Sequence, residues 1–208
     1  MTNVVFDFGA VLFTWQPALL IRQHFGHLTP TAEAAHQFAL DLFGHADWQG
    51  FDGGLNELHE VVERTATRLS LPGDALHAML APIGERLTPI PETVALLDAL
   101  RHRRDTRGDV RLYYLSNMPA PYARVLEERH DFIGWFDGGV FSGDVKLVKP
   151  QHEIYELLAM RHGLRAQDTV FIDDLPANVE AARALGWRAI HCDTTEGLAA
   201  KVMARLPA

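Results

Sequence analysis

Short apolar runs that end in a polar residue recur along the chain. The first is Asn3-Val4-Val5-Phe6-Asp7, and Val110 to Leu115, Gly139 to Phe141, Thr169 to Ile172 and Arg188 to His191 share its form. Such runs, brief and without polar alternation, suit strands buried on both faces, as when helices cover a parallel sheet from each side. Helical patterns separate the later runs. Ile154, Leu157 and Leu158 share a face ahead of a stop at Gly163, and Pro176 opens a segment that Gly186 closes. Strand alternating with helix predicts a doubly wound α/β core around a mostly parallel, Rossmann-like sheet.

From Pro17 to Leu87 the alternation stops and the chain reads as helix. Ala35, Phe38, Ala39, Leu42 and Phe43 form one apolar stripe, Leu76, Met79, Leu80 and Ile83 another, and Leu55, Leu58, Val62 and Leu69 fit a third approximately. Polar or glycine-rich breaks separate them, among them Phe51-Asp52-Gly53-Gly54, and His45 to Asp52 reads as a turn mixing aromatic and polar groups. The expected organisation is an α/β core over residues 1–16 and 88–208, with a helical insertion over 17–87 and a hinge at Thr88-Pro89-Ile90-Pro91. With 208 residues, 48% of them hydrophobic, the chain can bury such a core without a covalent staple.

Composition narrows the partners. A formal charge of −8 argues against nucleic acid and against anionic lipid. Cys192 is the single cysteine, which excludes an internal disulfide and a paired-cysteine zinc site, and it reads as structural. Met1 to Phe8 lacks the basic and long apolar regions of a signal peptide, and no run approaches the ~20 apolar residues of a membrane span. The expectation is a cytoplasmic protein, a monomer or weak homodimer, with no membrane partner. The basic run Arg101 to Arg104 reads as a solvated helix end.

In open α/β sheets, ligands sit outside the carboxyl ends of the strands. Asp7 ends the first run, Ser116-Asn117 the second and Asp173-Asp174 the fourth, while Lys149-Pro150 follows the third. Taken singly, each has an ordinary reading: a polar strand end, a turn, an N-cap pair, a surface lysine. Together, and in order, they suit phosphoryl transfer to a carboxylate. Bringing a carboxylate to a phosphate opposes like charges, at about 4 kcal/mol per unit pair at ~4 Å in a dielectric of ~20. Asp7, Asp173 and Asp174 offer the hard oxygen ligands that Mg²⁺ prefers. Lys149 adds a fixed positive charge, and Ser116 with nearby backbone N–H groups can hold the transferring oxygens. Asp7 would then form an aspartyl-phosphate that water hydrolyses. Lysine occurs only at positions 146, 149 and 201, so one placed at a strand end stands out.

On these residues the sequence resembles the haloacid dehalogenase superfamily, in particular subfamily I members with a helical C1-type cap inserted after the first strand. Val4-Val5-Phe6-Asp7-Phe8-Gly9-Ala10-Val11-Leu12 resembles the first motif and Leu115-Ser116-Asn117 the second. Lys149-Pro150 resembles the third, and Val170 to Asp174 with Asn178 the fourth. The resemblance implies Asp7 as nucleophile and metal ligand, Lys149 as charge bridge, Ser116 and Asn117 as phosphate contacts, and Asp173 as a Mg²⁺ ligand. It implies that the Gly9 carbonyl completes the metal site and that Asp174 supports it, through water. Asn178 then supports or caps rather than ligates. Trp15 and Trp48 are candidates for the substrate entrance, although Trp48 and Phe51 also read as packing.

Gly9 departs from the pattern. Phosphatases and mutases of this family usually carry there, two residues after the nucleophile, an aspartate that acts as general acid and base. Its loss typically costs 10²–10⁴-fold in rate, about 3–5.5 kcal/mol. That makes phosphomutase chemistry improbable. The Asp-x-Gly form resembles a branch of sugar-phosphate phosphatases similar to α-glucose-1-phosphate phosphatase, so the expected activity is Mg²⁺-dependent hydrolysis of a small phosphorylated metabolite, a sugar phosphate. No replacement acid is identified, and His24 and His45 read as solvated or packed. The alternatives are a metal-independent 2-haloacid dehalogenase, against which the Asp173-Asp174 pair argues, and a non-catalytic binding protein on the same fold.

Overall fold

The computed structural model describes residues 1–207. The apolar runs form strands β1 (Thr2–Phe6), β2 (Val110–Ser116), β3 (Gly138–Phe141), β4 (Thr169–Asp173) and β5 (Arg188–His191). They build one five-stranded sheet in the order β3-β2-β1-β4-β5, every pair parallel. All of β1 and β4 is buried, as expected for central strands covered on both sides.

Between β1 and β2 lie α1 (Pro17–Phe25), α2 (Ala32–Phe43), α3 (Ala46–Asp52), α4 (Leu58–Leu69), α5 (Gly73–Leu80), α6 (Ile83–Arg86) and α7 (Pro91–Arg107). Helices α8 (Ala120–Arg129), α9 (Ser142–Val145), α10 (His152–His162), α11 (Pro176–Ala184) and α12 (Leu198–Met203) follow in the second half. Proline opens α1, α7 and α11, where its missing N–H has no helical partner to lose. Gly108 and Gly163 end α7 and α10 in the left-handed conformation that glycine adopts freely.

Alternate side chains of the strands feed two cores. Val5, Tyr113, Leu115 and Phe171 face α10 and α11 through Tyr155, Leu158 and Val179. Val4, Phe6, Leu112 and Ile172 point the other way, into a larger core that includes Leu97 of α7 and Val202 of α12 and continues into the α1–α6 helices. The Arg101–Arg104 run lies on α7, where Arg101, Arg103 and Arg104 pair with Asp98, Asp109 and Asp105.

Two local expectations change. The His45–Asp52 stretch is helix α3 rather than a turn. His45 caps it through Nδ1, accepting from the Asp47 N–H at 3.2 Å, and Trp48 and Phe51 form its buried face. At seven residues it is too short to show a repeating stripe. The Leu76-to-Ile83 stripe is split, because Pro82 separates α5 from α6.

The chain enters and leaves α1–α6 at one place. Phe13 bridges Pro89 in antiparallel fashion, the Ile90 N–H donates to Leu12 at 2.8 Å, and the Thr14 N–H donates to Thr88 at 2.8 Å. This neck stands beside the C-terminal end of β1, so the inserted helices lie over that edge of the sheet. Among the described residues, no helix is long and apolar enough to cross a membrane.

Candidate active site

Parallel strands deliver their last residues to one edge, and the residues singled out by the sequence collect there. Asp7 follows β1, held in line by its N–H donating to Ile172 of β4 at 2.9 Å. Asp173 is the last residue of β4 and Asp174 the next. Lys149 reaches between them, its Nζ 2.9 Å from Asp7 Oδ1 and 2.6 Å from Asp173 Oδ2. Carboxylate oxygens of Asp7, Asp173 and Asp174 lie within 4.8 Å of one another.

The acids differ in what they already hold. Asp173 is fully buried and both its oxygens are engaged. Oδ1 accepts from the Leu175 N–H and from Asn178 Nδ2, each at 2.9 Å, and Oδ2 accepts from Lys149. Asn178 is fixed in turn by Tyr155, whose hydroxyl donates to its carbonyl at 3.0 Å. Asp174 is only partly buried and opens onto the cavity. Three carboxylates around one ammonium leave an excess of negative charge in a site removed from water. Burial accordingly pushes the Asp7 carboxyl up to about 7, against the pull of Lys149 and with Asp173 and Asp174 adding to the rise. Burial also lifts Asp174 to about 6, reinforced by Asp173. Burial opposes the charge on Lys149, but Asp173 and Asp7 outweigh it and hold the ammonium above the ordinary lysine value. The donor set is all oxygen and short of positive charge, which fits a hard divalent cation.

Asn117 serves Lys149. Its Oδ1 accepts from the Lys149 N–H at 2.8 Å and its Nδ2 donates to the Lys149 carbonyl at 2.9 Å, clamping the main chain that carries the ammonium. Ser116 is buried at the end of β2, while the cavity wall runs over Asn117 and Met118. Gly9 lies in the cavity lining, and a Cβ built there meets only Trp15, at 3.8 Å.

The cavity holds about 200 Å³, with Asp7, Lys149 and Asp174 at its floor. Its wall is chiefly apolar, formed by Trp15, Phe43, Trp48, Leu87, Met118 and Tyr122. The rings make a chain of edge-to-face contacts from Trp15 to Phe43 (5.0 Å), Trp48 (4.7 Å), Phe51 (5.5 Å) and Tyr122 (5.4 Å). Trp48 is therefore both packed and lining. His24 and His45 are absent from the lining.

Among the carboxylates of the lining, one was not singled out by the sequence: Asp52, the last residue of α3. Burial pushes its carboxyl up to about 8, opposed by a hydrogen bond from Trp48 and by Lys149, with Asp7 adding to the rise. The available signal was its place four residues after a tryptophan and just before Gly53-Gly54, a pattern that does not announce a site.

The family model for haloacid dehalogenase-like hydrolases matches residues 3–186. The chain belongs to that family. It is 29% identical over 188 residues to the sesquiterpene phosphatase astK of Aspergillus oryzae, covering 90% of this chain and 87% of that protein. It is 25% identical to the pyrimidine 5′-nucleotidase YjjG of Escherichia coli, covering 94% of this chain and 90% of that protein. Among solved structures, the HAD-family enzyme bt-2542 of Bacteroides thetaiotaomicron superposes with a TM-score of 0.69 at 19% identity, covering 92% of this chain and 93% of that one. That enzyme has also been solved in complex with magnesium and inorganic phosphate. The hydrolase is thus an α/β enzyme of this family, and its Asp7, Asp173 and Asp174 form a cluster able to hold a metal ion.

Proposed function

We propose that this hydrolase is a Mg²⁺-dependent phosphomonoesterase that works through an aspartyl-phosphate at Asp7. The observation that carries this reading is the Asp7–Lys149–Asp173 constellation beside Asp174. A buried carboxylate paired with one ammonium is held where a phosphorus atom can approach it. Asp7, Asp174 and the Gly9 carbonyl are the groups proposed to hold the cation. This exchanges the parts that the resemblance implied for Asp173 and Asp174: Asp173, with both oxygens engaged, fixes Lys149 and meets the metal at most through water. When bound, the cation supplies positive charge that lessens the repulsion between carboxylate and phosphate. Asp7 attacks phosphorus in line with the departing oxygen, and Lys149 stays paired with Asp7 and the transferring oxygens. Water then attacks the phosphorus of the aspartyl-phosphate and returns the free carboxylate.

The helices α1–α6 act in this reading as a cap that shapes the substrate end of the cavity. The apolar wall offers a sugar few hydrogen-bonding partners, so the reading departs from the sugar phosphate implied by resemblance. It favours the phosphate monoester of an alcohol with a large apolar surface. A sesquiterpene phosphatase among the relatives supports the same class. The acidic pair Asp173-Asp174 disfavours a 2-haloacid, whose carboxylate it would repel.

The test is phosphate release from prenyl, aryl and sugar monophosphates, with magnesium and with chelator, alongside Asp7→Asn. Activity should require both magnesium and Asp7, and kcat/KM should be highest on the apolar esters. Turnover that survives chelation or the Asn variant contradicts the mechanism. A preference for sugar phosphates contradicts the substrate class, and metal-free halide release from 2-haloacids restores the dehalogenase alternative.

A further inference from the structure

Ester cleavage needs a proton for the departing alkoxide, and hydrolysis of the phosphoenzyme needs a base for the attacking water. The cavity lining contains five titratable side chains: Asp7, Asp52, Tyr122, Lys149 and Asp174. Four are committed. Asp7 is the nucleophile and Asp174 a metal ligand in the proposed reading, while Lys149 is locked between two carboxylates. The Tyr122 hydroxyl donates to the Leu80 carbonyl at 2.7 Å, and burial, with Asp52 adding, holds its proton more tightly than in an ordinary tyrosine. Position 9, two residues past the nucleophile, carries no side chain at all.

Asp52 remains, and its placement is built rather than incidental. Ser142 hydroxyl donates to the Asp52 carbonyl and accepts from the Met118 N–H at 2.8 Å, so one buried hydroxyl ties the end of α3 to the core beside the cavity. Beyond it, Gly54 lies so close to the core that a Cβ there would sit 2.3 Å from the Gly143 carbonyl, at a φ of +65°. Bare backbone at Gly54 and Gly143 lets this segment press against the core. Asp52 thereby joins the cavity lining with Trp48 of its own helix, Tyr122 of α8, Lys149 and Asp7, and the charges of Lys149 and Asp7 act on its carboxyl.

We propose that Asp52 is the general acid and base of this hydrolase, delivering and recovering the proton from the part of the cavity wall that α3 supplies. The proposal rests on the phosphatase reading given above. In the first half-reaction the Asp7 carboxylate forms a bond to phosphorus and the ester P–O bond breaks. The leaving oxygen takes the Asp52 proton, so the alcohol departs neutral and Asp52 becomes a carboxylate. In the second, water attacks phosphorus, Asp52 takes its proton, and the bond from phosphorus to Asp7 breaks. Phosphate leaves with Asp7 ionised and Asp52 protonated, as at the start. A carboxyl raised by burial to about 8 holds that proton at neutral pH.

The test compares wild type with Asp52→Asn on an alkyl phosphate, whose alkoxide needs a proton, and on p-nitrophenyl phosphate, whose leaving group does not. On the alkyl ester the variant should lose about 10²–10⁴-fold in kcat/KM. On the aryl ester it should keep a rapid first turnover and then accumulate phosphorylated Asp7, visible by intact-protein mass. The fall in wild-type alkyl activity as pH rises through about 8 should vanish in the variant. Asp52→Ser, which removes the carboxyl without adding amide donors beside Trp48, provides the same comparison if the amide disturbs α3. Full alkyl activity in the variants, or equal losses on both esters in a variant that melts like wild type, overturns the proposal alone. A wild-type protein that releases phosphate from neither ester overturns the phosphatase reading, and the proposal with it.

Discussion

Removing the Lys149 ammonium would leave Asp7, Asp173 and Asp174 facing one another with no cation between them. Breaking a buried ion pair from one side costs roughly 3–5 kcal/mol, because the remaining charge is stranded. Lys149→Met should therefore lower metal-free stability by about that amount in urea unfolding, and magnesium should restore more stability to the variant than to wild type. Asn117 acts one step further out. Asn117→Ala leaves the Lys149 main chain without its clamp, so turnover should fall about 10-fold while phosphate affinity changes little. A KM effect without loss of kcat would instead return Asn117 to the substrate contacts expected from the sequence. Asp7, Asp173 and Asp174 were legible because each ends or directly follows a strand, where chain order alone sets position, and Lys149, which lies beyond α9, was legible as a rare lysine ahead of Pro150. Asp52 was not, because its importance comes from the meeting of α3 with Ser142 and Gly143, two segments with no shared sequence signal.

At the scale of elements, the contact between the end of α3 and α9 ties the inserted helices to the core. Gly54→Ala places a methyl group against the Gly143 carbonyl and forces a side chain into a left-handed backbone. It should destabilise by about 1–3 kcal/mol and reduce kcat more than it reduces folding cooperativity, measured by thermal unfolding and steady-state kinetics on one preparation. A variant with wild-type stability and activity would show that the close approach is dispensable. Strands β1 and β4 were readable because burial on both faces leaves unbroken apolar runs, and β2, β3 and β5 because short apolar stretches remain in them. Helix α3 was not, since seven residues with two inward aromatics resemble a turn more than a stripe. The stripe over Leu76–Ile83 misled for the opposite reason, as its periodicity runs on across Pro82 although the helix does not.

For the molecule as a whole, acidity ties stability to pH and metal. An unfolded aspartate titrates near 3.8, whereas the folded chain holds Asp7 to about 7, Asp52 to about 8 and Asp174 to about 6. Between these limits the folded form binds more protons than the unfolded one, so these groups make stability fall as pH rises. Asp109, drawn down by its hydrogen bond from Arg103, works in the opposite sense, but only in more acidic solution. In chelator, the unfolding midpoint should therefore be higher near about pH 5 than near about pH 8, and magnesium should raise it more at the higher pH. Equal magnesium shifts at both would contradict a cation bound among these carboxylates. The net charge of −8 alone predicts none of this, because it does not say which acids are buried together.

The neck at Phe13 and Pro89 bears on how such an enzyme diversifies. Both ends of the helical insert are pinned to each other before the chain enters it, so the sheet does not register how long the excursion is or what it contains. Even in a flexible loop, each doubling of length adds only about 0.6 kcal/mol of closure entropy. Substitutions and insertions on the far side of the neck can thus reshape the cavity wall without displacing the strand ends that carry Asp7, Asp173 and Asp174.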